Sequence, residues 1–170
     1  MRLGPALALA WLMTGCGYHV AGKADLLPRS IQTIALPAFT NLTTQYKLTD
    51  RLPLQIGREF IGRTRYRVVS NPADADAVLS GAVVNVFAGA TNFDPATGRA
   101  SAVQVSCILK LSLVERTTGK VLFNQPGMEF RQRYEISTTA EAYFDEGSPA
   151  FQRLSQDVAR TVVSAILEMF

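Results

Sequence analysis

The sequence predicts an α+β domain, in which a mixed, mostly antiparallel sheet of four to five strands carries two helices on one face. The predicted order of elements is β-α-β-β-β-β-α. Apolar residues recur at helical spacing in residues 47–63 and again in residues 149–169. Between these stretches, residues 77–136 contain three long segments in which apolar and polar side chains alternate, separated by turn signals. Such alternation is typical of antiparallel strands that bury one face.

The first strand is predicted at residues 30–37, with Ile34 and Leu36 on one face and Pro37 as its end, and residues 40–45 read as a polar loop. A helix follows, whose apolar residues are spaced by four: Leu48, Leu52, Ile56 and Phe60. Because proline is tolerated only in the first turn of a helix, Pro53 predicts a start near Thr49 or Asp50, either of which can cap it.

The remaining elements follow from turns and alternation. Residues 66–69 form a short strand parallel to the first, residues 71–76 a brief helical stretch, and residues 77–93 a long strand that ends at a turn over 94–98. A second long strand covers 103–113, and after a turn at 116–120 a third runs from 121 to 136. The sequence Gln125-Pro126-Gly127 predicts a bulge or an edge position in that third strand.

The final helix is predicted to be capped by Ser148, with Pro149 at its first position. Its buried stripe is predicted from apolar residues at helical spacing: Phe151, Leu154, Val158, Val162, Ala165, Ile166 and Met169.

The first 16 residues are typical of a bacterial lipoprotein signal. Arg2 precedes an apolar run over residues 6–12, and the small residues Thr14 and Gly15 lead directly to Cys16. The apolar run is shorter than the roughly 20 residues that span a bilayer. We therefore expect residues 1–15 to be a cleaved signal peptide, Cys16 to be acylated, residues 16–30 to be a tether and 31–170 to be one domain. An ordinary cleaved signal or a short anchor helix is the alternative.

Composition argues against an enzyme. The only histidine, His19, falls in the predicted tether, and the chain has no cluster of Cys and His for zinc and no glycine-rich phosphate loop. We predict no metal and no cofactor. The small positive excess is scattered, so we predict no nucleic-acid partner. The second cysteine, Cys107, lies in an alternating strand, where we expect it to be buried as a small apolar residue.

One polar sheet face is the candidate binding surface. It presents Lys110, Arg131 and Arg133 beside Gln104 and Ser106. Such a face can hold a lipid-bearing anion through its charges and acyl chains beside them. A solvated face whose charges are balanced by acidic neighbours is the alternative; those neighbours are Glu129 and Glu135.

An ordered set of stretches along the chain resembles the LptE family of lipopolysaccharide-assembly lipoproteins of the Gram-negative outer membrane. The set consists of Cys16-Gly17-Tyr18-His19, Ile34-Ala35-Leu36-Pro37 with Phe39 and Asn41, Tyr66-Arg67-Val68-Val69, residues 73–81, Phe93-Asp94-Pro95 through Ala100, Thr117-Thr118-Gly119-Lys120-Val121-Leu122 and the closing helix. The resemblance covers essentially the whole chain after the signal peptide, and Gly17 after the cysteine is consistent with sorting to the outer membrane.

The resemblance implies a lipid-anchored, periplasm-facing protein that plugs the barrel of LptD, assists its assembly and binds lipopolysaccharide. Arg99, Lys110, Arg131 and Arg133 are the candidate lipopolysaccharide contacts, chosen from charge and strand placement and not carried over from the family. Two other readings stay open: a different periplasmic interaction lipoprotein, such as a cell-wall synthase activator or a secretion accessory, and a lipid-carrying lipoprotein.

Overall fold

The computed structural model describes residues 27–44, 46–135 and 147–170. The signal peptide, Cys16, His19, most of the tether and Ile136 lie outside these residues, and the side chains of Ser148 and Pro149 are not described. The elements, in chain order, are β1 (Thr33–Ala35), β2 (Thr40–Asn41), α1 (Tyr46–Arg63), β3 (Arg67–Val69), a 3₁₀ turn (Pro72–Asp74), β4 (Ala77–Phe93), β5 (Ala100–Glu115), β6 (Val121–Glu135) and α2 (Gly147–Leu167).

The described residues form one sheet of six strands in the order β3-β1-β4-β5-β6, with β2 paired beside β4. The short strands β1, β2 and β3 pair in parallel, whereas β4, β5 and β6 form an antiparallel meander. The α+β class and the mixed sheet with two helices are therefore confirmed. The sheet has one strand more than the four to five predicted, because β2 lies where a polar loop was expected.

Strand β2 exists because the preceding residue is anchored on the sheet. The ring of Phe39 is buried and lies directly over Gly81 of β4, where a Cβ would come within 2.6 Å of the ring. This contact holds the next two residues, Thr40 and Asn41, alongside Ala82 and Val83. Two residues are too few to show the alternation by which a strand is recognised in a sequence.

Helix α1 begins before Thr49, contrary to the predicted start. Pro53 therefore lies inside the helix, where its ring nitrogen cannot donate to a carbonyl one turn earlier. Packing outweighs this loss: Leu48 is fully buried and belongs to the same stripe as Leu52, Ile56 and Phe60, which are also fully buried. The first turn is thus held by the core and not by a cap.

Both helices cover the same face of the sheet and share one core with it. The predicted stripe of α2 is confirmed at Leu154, Val158, Val162 and Ile166, which are buried. Met169 is the exception. It follows the end of the helix at Leu167 and is 58% exposed, because the chain there no longer keeps the helical spacing that would turn it toward the core.

The thiol of Cys107 lies in the same core. The residue is 1% exposed and is a free cysteine, as predicted from the alternation of β5. Burial raises the pKa of the Cys107 thiol to about 12. Cys107 is therefore a packing residue and not a nucleophile.

Candidate ligand-binding face

The face of β4, β5 and β6 that points away from the helices, here called the open face, carries the predicted site. Strand β5 shows the division most clearly: Val105, Cys107, Leu109, Leu111 and Leu113 are buried, whereas the residues between them are half-buried or exposed. The buried set faces the helices. The other set faces away from them, so the open face is built by simple alternation along β5.

Arg131 and Arg133 lie next to each other on the open face. Arg131 pairs with Ser106 and Arg133 pairs with Gln104, so the two side chains project from the same side of β6, about 7 Å apart along the strand. Both are exposed. In the amide orientation that satisfies both of its groups, Asn92 accepts a hydrogen bond from Arg133 Nη2 at 3.1 Å. This contact orients the guanidinium of Arg133 across the sheet.

Arg131 is engaged by an acidic neighbour. Its Nε and Nη2 donate to the two carboxylate oxygens of Glu129 at 2.8 and 3.0 Å, a two-point ion pair on the surface. The hydrogen bond from Arg131 holds the pKa of the Glu129 carboxyl below its usual range. The predicted compensation by acidic residues is thus present at Arg131. It is absent at Arg133, which forms no ion pair with any described residue.

Lys110 lies farther along the open face. It pairs with Ala82 of β4, and four residues of β5 separate it from Ser106, a distance of about 13 Å. A shallow groove of about 450 Å³ beside it is lined by Ser80, Ser112 and Asn124 as well as by Lys110. The register of β6 shifts opposite Lys110, where Pro126 and Gly127 form the predicted bulge. Lys110 is therefore separate from the two arginines.

Arg99 lies at the far end of the hairpin. It follows the β4–β5 turn, where its backbone carbonyl accepts a hydrogen bond from Asp94 N at 2.8 Å, and its side chain is exposed. Five residues of β5 separate it from Gln104, a distance of about 17 Å. The four predicted residues therefore do not form one compact site: Arg131 and Arg133 are together, and Arg99 and Lys110 lie on either side of them.

The residue selection from sequence missed Phe87. It pairs with Ser106, so Phe87, Ser106 and Arg131 form one row across the open face. Phe87 is 63% exposed, and its ring lies over Gly89. The combination Phe-x-Gly in a strand is a usable signal for such a ring, but the register shift between Val83 and Asn85 hides which face it occupies.

None of the helices in the described part of the chain has the length and apolar character needed to cross a membrane. The lipidation site predicted at Cys16 lies outside the described residues.

A six-stranded mixed sheet with two helices on one face and a long protruding meander is a fold shared with several bacterial lipoproteins. The lipoprotein B from Nitrosomonas europaea superimposes with a TM-score of 0.55 at 15% identity, over 89% of this chain and 96% of that one. The rare lipoprotein B from Shewanella oneidensis gives a TM-score of 0.51 at 15% identity, over 80% and 94%. The PelC dodecamer from Paraburkholderia phytofirmans gives 0.52 at 15% identity, over 81% and 88%. At these identities the likeness is one of fold.

The family model described as "LptE: Lipopolysaccharide-assembly" matches residues 31–166. The chain therefore belongs to the LptE lipopolysaccharide-assembly family, as the resemblance indicated. No curated protein matches it.

Proposed function

We propose that this protein is the lipoprotein partner of the outer-membrane barrel LptD. In this proposal Cys16 is acylated, the domain faces the periplasm and plugs the barrel lumen, and the open face binds lipopolysaccharide on its way to the outer leaflet. The observation that carries the proposal is the family match over residues 31–166, together with an open sheet face that places paired arginines beside an exposed aromatic ring.

The open face supplies both kinds of contact that an anionic glycolipid needs. Guanidinium groups match phosphate geometry through two parallel hydrogen bonds. Arg133 has this fork available, held by Asn92, whereas Arg131 already uses its fork on Glu129. Phe87 and the half-buried Ile108 provide apolar surface in the neighbouring rows for acyl chains. The arrangement is a binding surface, and we propose no catalytic role for it.

The test is lipopolysaccharide binding by the purified acylated protein and its variants. We expect Arg131→Gln/Arg133→Gln to weaken binding about tenfold, the size of one lost charged hydrogen bond or two weaker ones. Because Arg131 is held by Glu129, Arg133→Gln alone should account for most of this loss. Glu129→Gln should strengthen binding, since it frees the Arg131 fork.

The matched control is Arg58→Gln/Arg160→Gln, which removes the same charge from a groove on the helical side of the molecule. The control should bind as the wild type does, and all variants should keep their unfolding midpoints. Unchanged binding by the folded Arg131/Arg133 variant would remove these residues from the site.

The identity of the partner is tested separately, by capture from solubilised envelope with mass identification of the bound protein. We expect a large outer-membrane barrel. Capture of a cell-wall synthase instead would favour the rival interaction lipoprotein. A lipid carrier is the weaker alternative, because the space between sheet and helices is filled by one packed cluster of side chains.

A further inference from the structure

A second basic cluster lies at the end of the sheet opposite the β4–β5 turn. An open cleft of about 950 Å³ is lined there by Arg29, Arg65 and Arg67, and all three arginines are exposed. We call it the arginine cleft. Its volume is in the upper range of sites that bind small molecules, about 300–1,000 Å³.

The walls of the arginine cleft are fixed by backbone contacts. Arg65 and Arg67 flank Tyr66, which is buried, and the Tyr66 hydroxyl accepts a hydrogen bond from the backbone N–H of Leu27 at 2.9 Å. The backbone N–H of Arg67 donates to the carbonyl of Gln32 at 2.9 Å. The segment that precedes β1 is therefore attached to the same wall that presents the arginines.

Two acidic residues also line the cleft, and both are occupied by local donors. Asp76 Oδ2 accepts the backbone N–H groups of Gln32 and Thr33, each at 2.9 Å. Asp74 Oδ2 accepts from Asn71 Nδ2 at 2.9 Å. Three guanidinium groups thus share the cleft with two carboxylates that already have partners, and the balance favours an anion.

The position of the cleft along the chain determines which anion it meets. Leu27 is buried in the cleft wall, and ten residues separate it from Cys16. An extended chain of this length reaches about 40 Å at most. If Cys16 carries acyl chains, as proposed above, the cleft stays within that distance of the bilayer surface.

We propose that the arginine cleft binds the phosphate of an anionic glycerophospholipid headgroup in the membrane to which the chain is tethered. This proposal rests on the proposed acylation of Cys16 for its orientation. The cleft holds the domain against the lipid surface, while the open face, at the other end of the sheet, remains available to its own ligand. Forked guanidinium groups match a phosphodiester, whereas a zwitterionic headgroup cancels the attraction.

The experiment is native mass spectrometry of the acylated protein released from detergent micelles, titrated with phosphatidylglycerol, phosphatidylcholine, inorganic phosphate or lipopolysaccharide. We expect phosphatidylglycerol adducts to form in preference to phosphatidylcholine adducts. Arg29→Gln/Arg67→Gln should raise the apparent Kd for phosphatidylglycerol about 30-fold, two contributions of the size expected for single arginines at an anionic lipid surface. Arg29→Lys/Arg67→Lys should retain binding to within a few-fold.

The control is again Arg58→Gln/Arg160→Gln, which should leave phosphatidylglycerol binding unchanged. Equal loss in the control, no preference of the wild type for phosphatidylglycerol, or arginine-dependent binding of inorganic phosphate or lipopolysaccharide alone would each overturn the proposal. The same spectra report the mass of the acyl chains on Cys16. Failure of the proposed lipidation is therefore read separately from failure of the cleft.

Discussion

Replacing Gly81 with alanine tests the contact that attaches β2 to the sheet. A Cβ at Gly81 would lie 2.6, 2.6 and 2.7 Å from three atoms of the Phe39 ring, distances that real side chains do not tolerate. The ring is 4% exposed and has no free space to move into. We expect Gly81→Ala to destabilise the fold by about 2 kcal/mol, the usual cost of adding a methyl group to a packed site. For a chain of this size, that lowers the unfolding midpoint by about 4–8 °C.

The cause is isolated by a double-mutant cycle, measured as urea unfolding followed by circular dichroism. Phe39→Ala alone removes the ring and should cost about 3–5 kcal/mol. In that background Gly81→Ala should cost almost nothing, because the atoms it met are gone, which gives a coupling energy of about 2 kcal/mol. Gly62→Ala is the control: no atom lies within 4 Å of its Cβ, and in helix α1 it should be neutral or stabilising by up to about 1 kcal/mol.

A neutral Gly81→Ala, or additive effects of the two substitutions, would refute this account. Either outcome would mean that β2 is held by its hydrogen bonds to β4 and not by the ring of Phe39. A destabilising Gly62→Ala would show instead that any added methyl group is harmful, independent of its surroundings.

Two further predictions concern buried polar chemistry. Because burial raises the pKa of Cys107 from 9.0 to about 12, its alkylation at pH 8 should be about a thousandfold slower in the folded than in the unfolded protein, and stability should fall as the pH rises above 9, where only the unfolded thiol ionises; rapid labelling of Cys107 in the folded protein would contradict this. Asp76→Ala leaves the backbone N–H groups of Gln32 and Thr33 without their acceptor and should cost about 1–3 kcal/mol in urea unfolding, whereas Asp74→Ala, which removes an exposed side-chain contact, should cost less than about 0.5 kcal/mol; equal costs would show that the two backbone bonds are not the cause.

The elements that the sequence predicted well are those whose burial repeats with a period. The stripe of α1 and the alternation of β5 each place four or more apolar residues in register, so a single interruption such as Ile108 does not obscure the pattern. The start of α1 was wrong for a related reason. A rule about one residue, Pro53, was given more weight than Leu48, whose burial extends the same stripe by a turn.

The parts of the site that the sequence did not predict depend on contacts between distant segments. Nothing in the local pattern of β6 shows that Arg131 rather than Arg133 is bound by Glu129, since both lie two residues from a glutamate. The arginine cleft combines residues before β1 with residues before β3, which are brought together only by the parallel pairing of those strands. Phe87 lies beyond a register shift in β4, and alternation counted from the start of the strand assigns it to the wrong face.

The length of the meander makes the two proposed sites independent of each other. Ala77, next to the arginine cleft, pairs with Glu115 of β5, and Gln104, opposite Arg133, lies eleven residues away on the same strand, about 36 Å. Charges on the protein surface are screened over about 8 Å at physiological ionic strength, so a guanidinium in the cleft contributes almost nothing to the potential at Arg133. Loss of lipopolysaccharide binding on substitution of Arg131 and Arg133, and loss of phosphatidylglycerol binding on substitution of Arg29 and Arg67, should therefore not cross over. If each pair of substitutions weakened both ligands equally, the two clusters would have to share one bound molecule long enough to span the sheet.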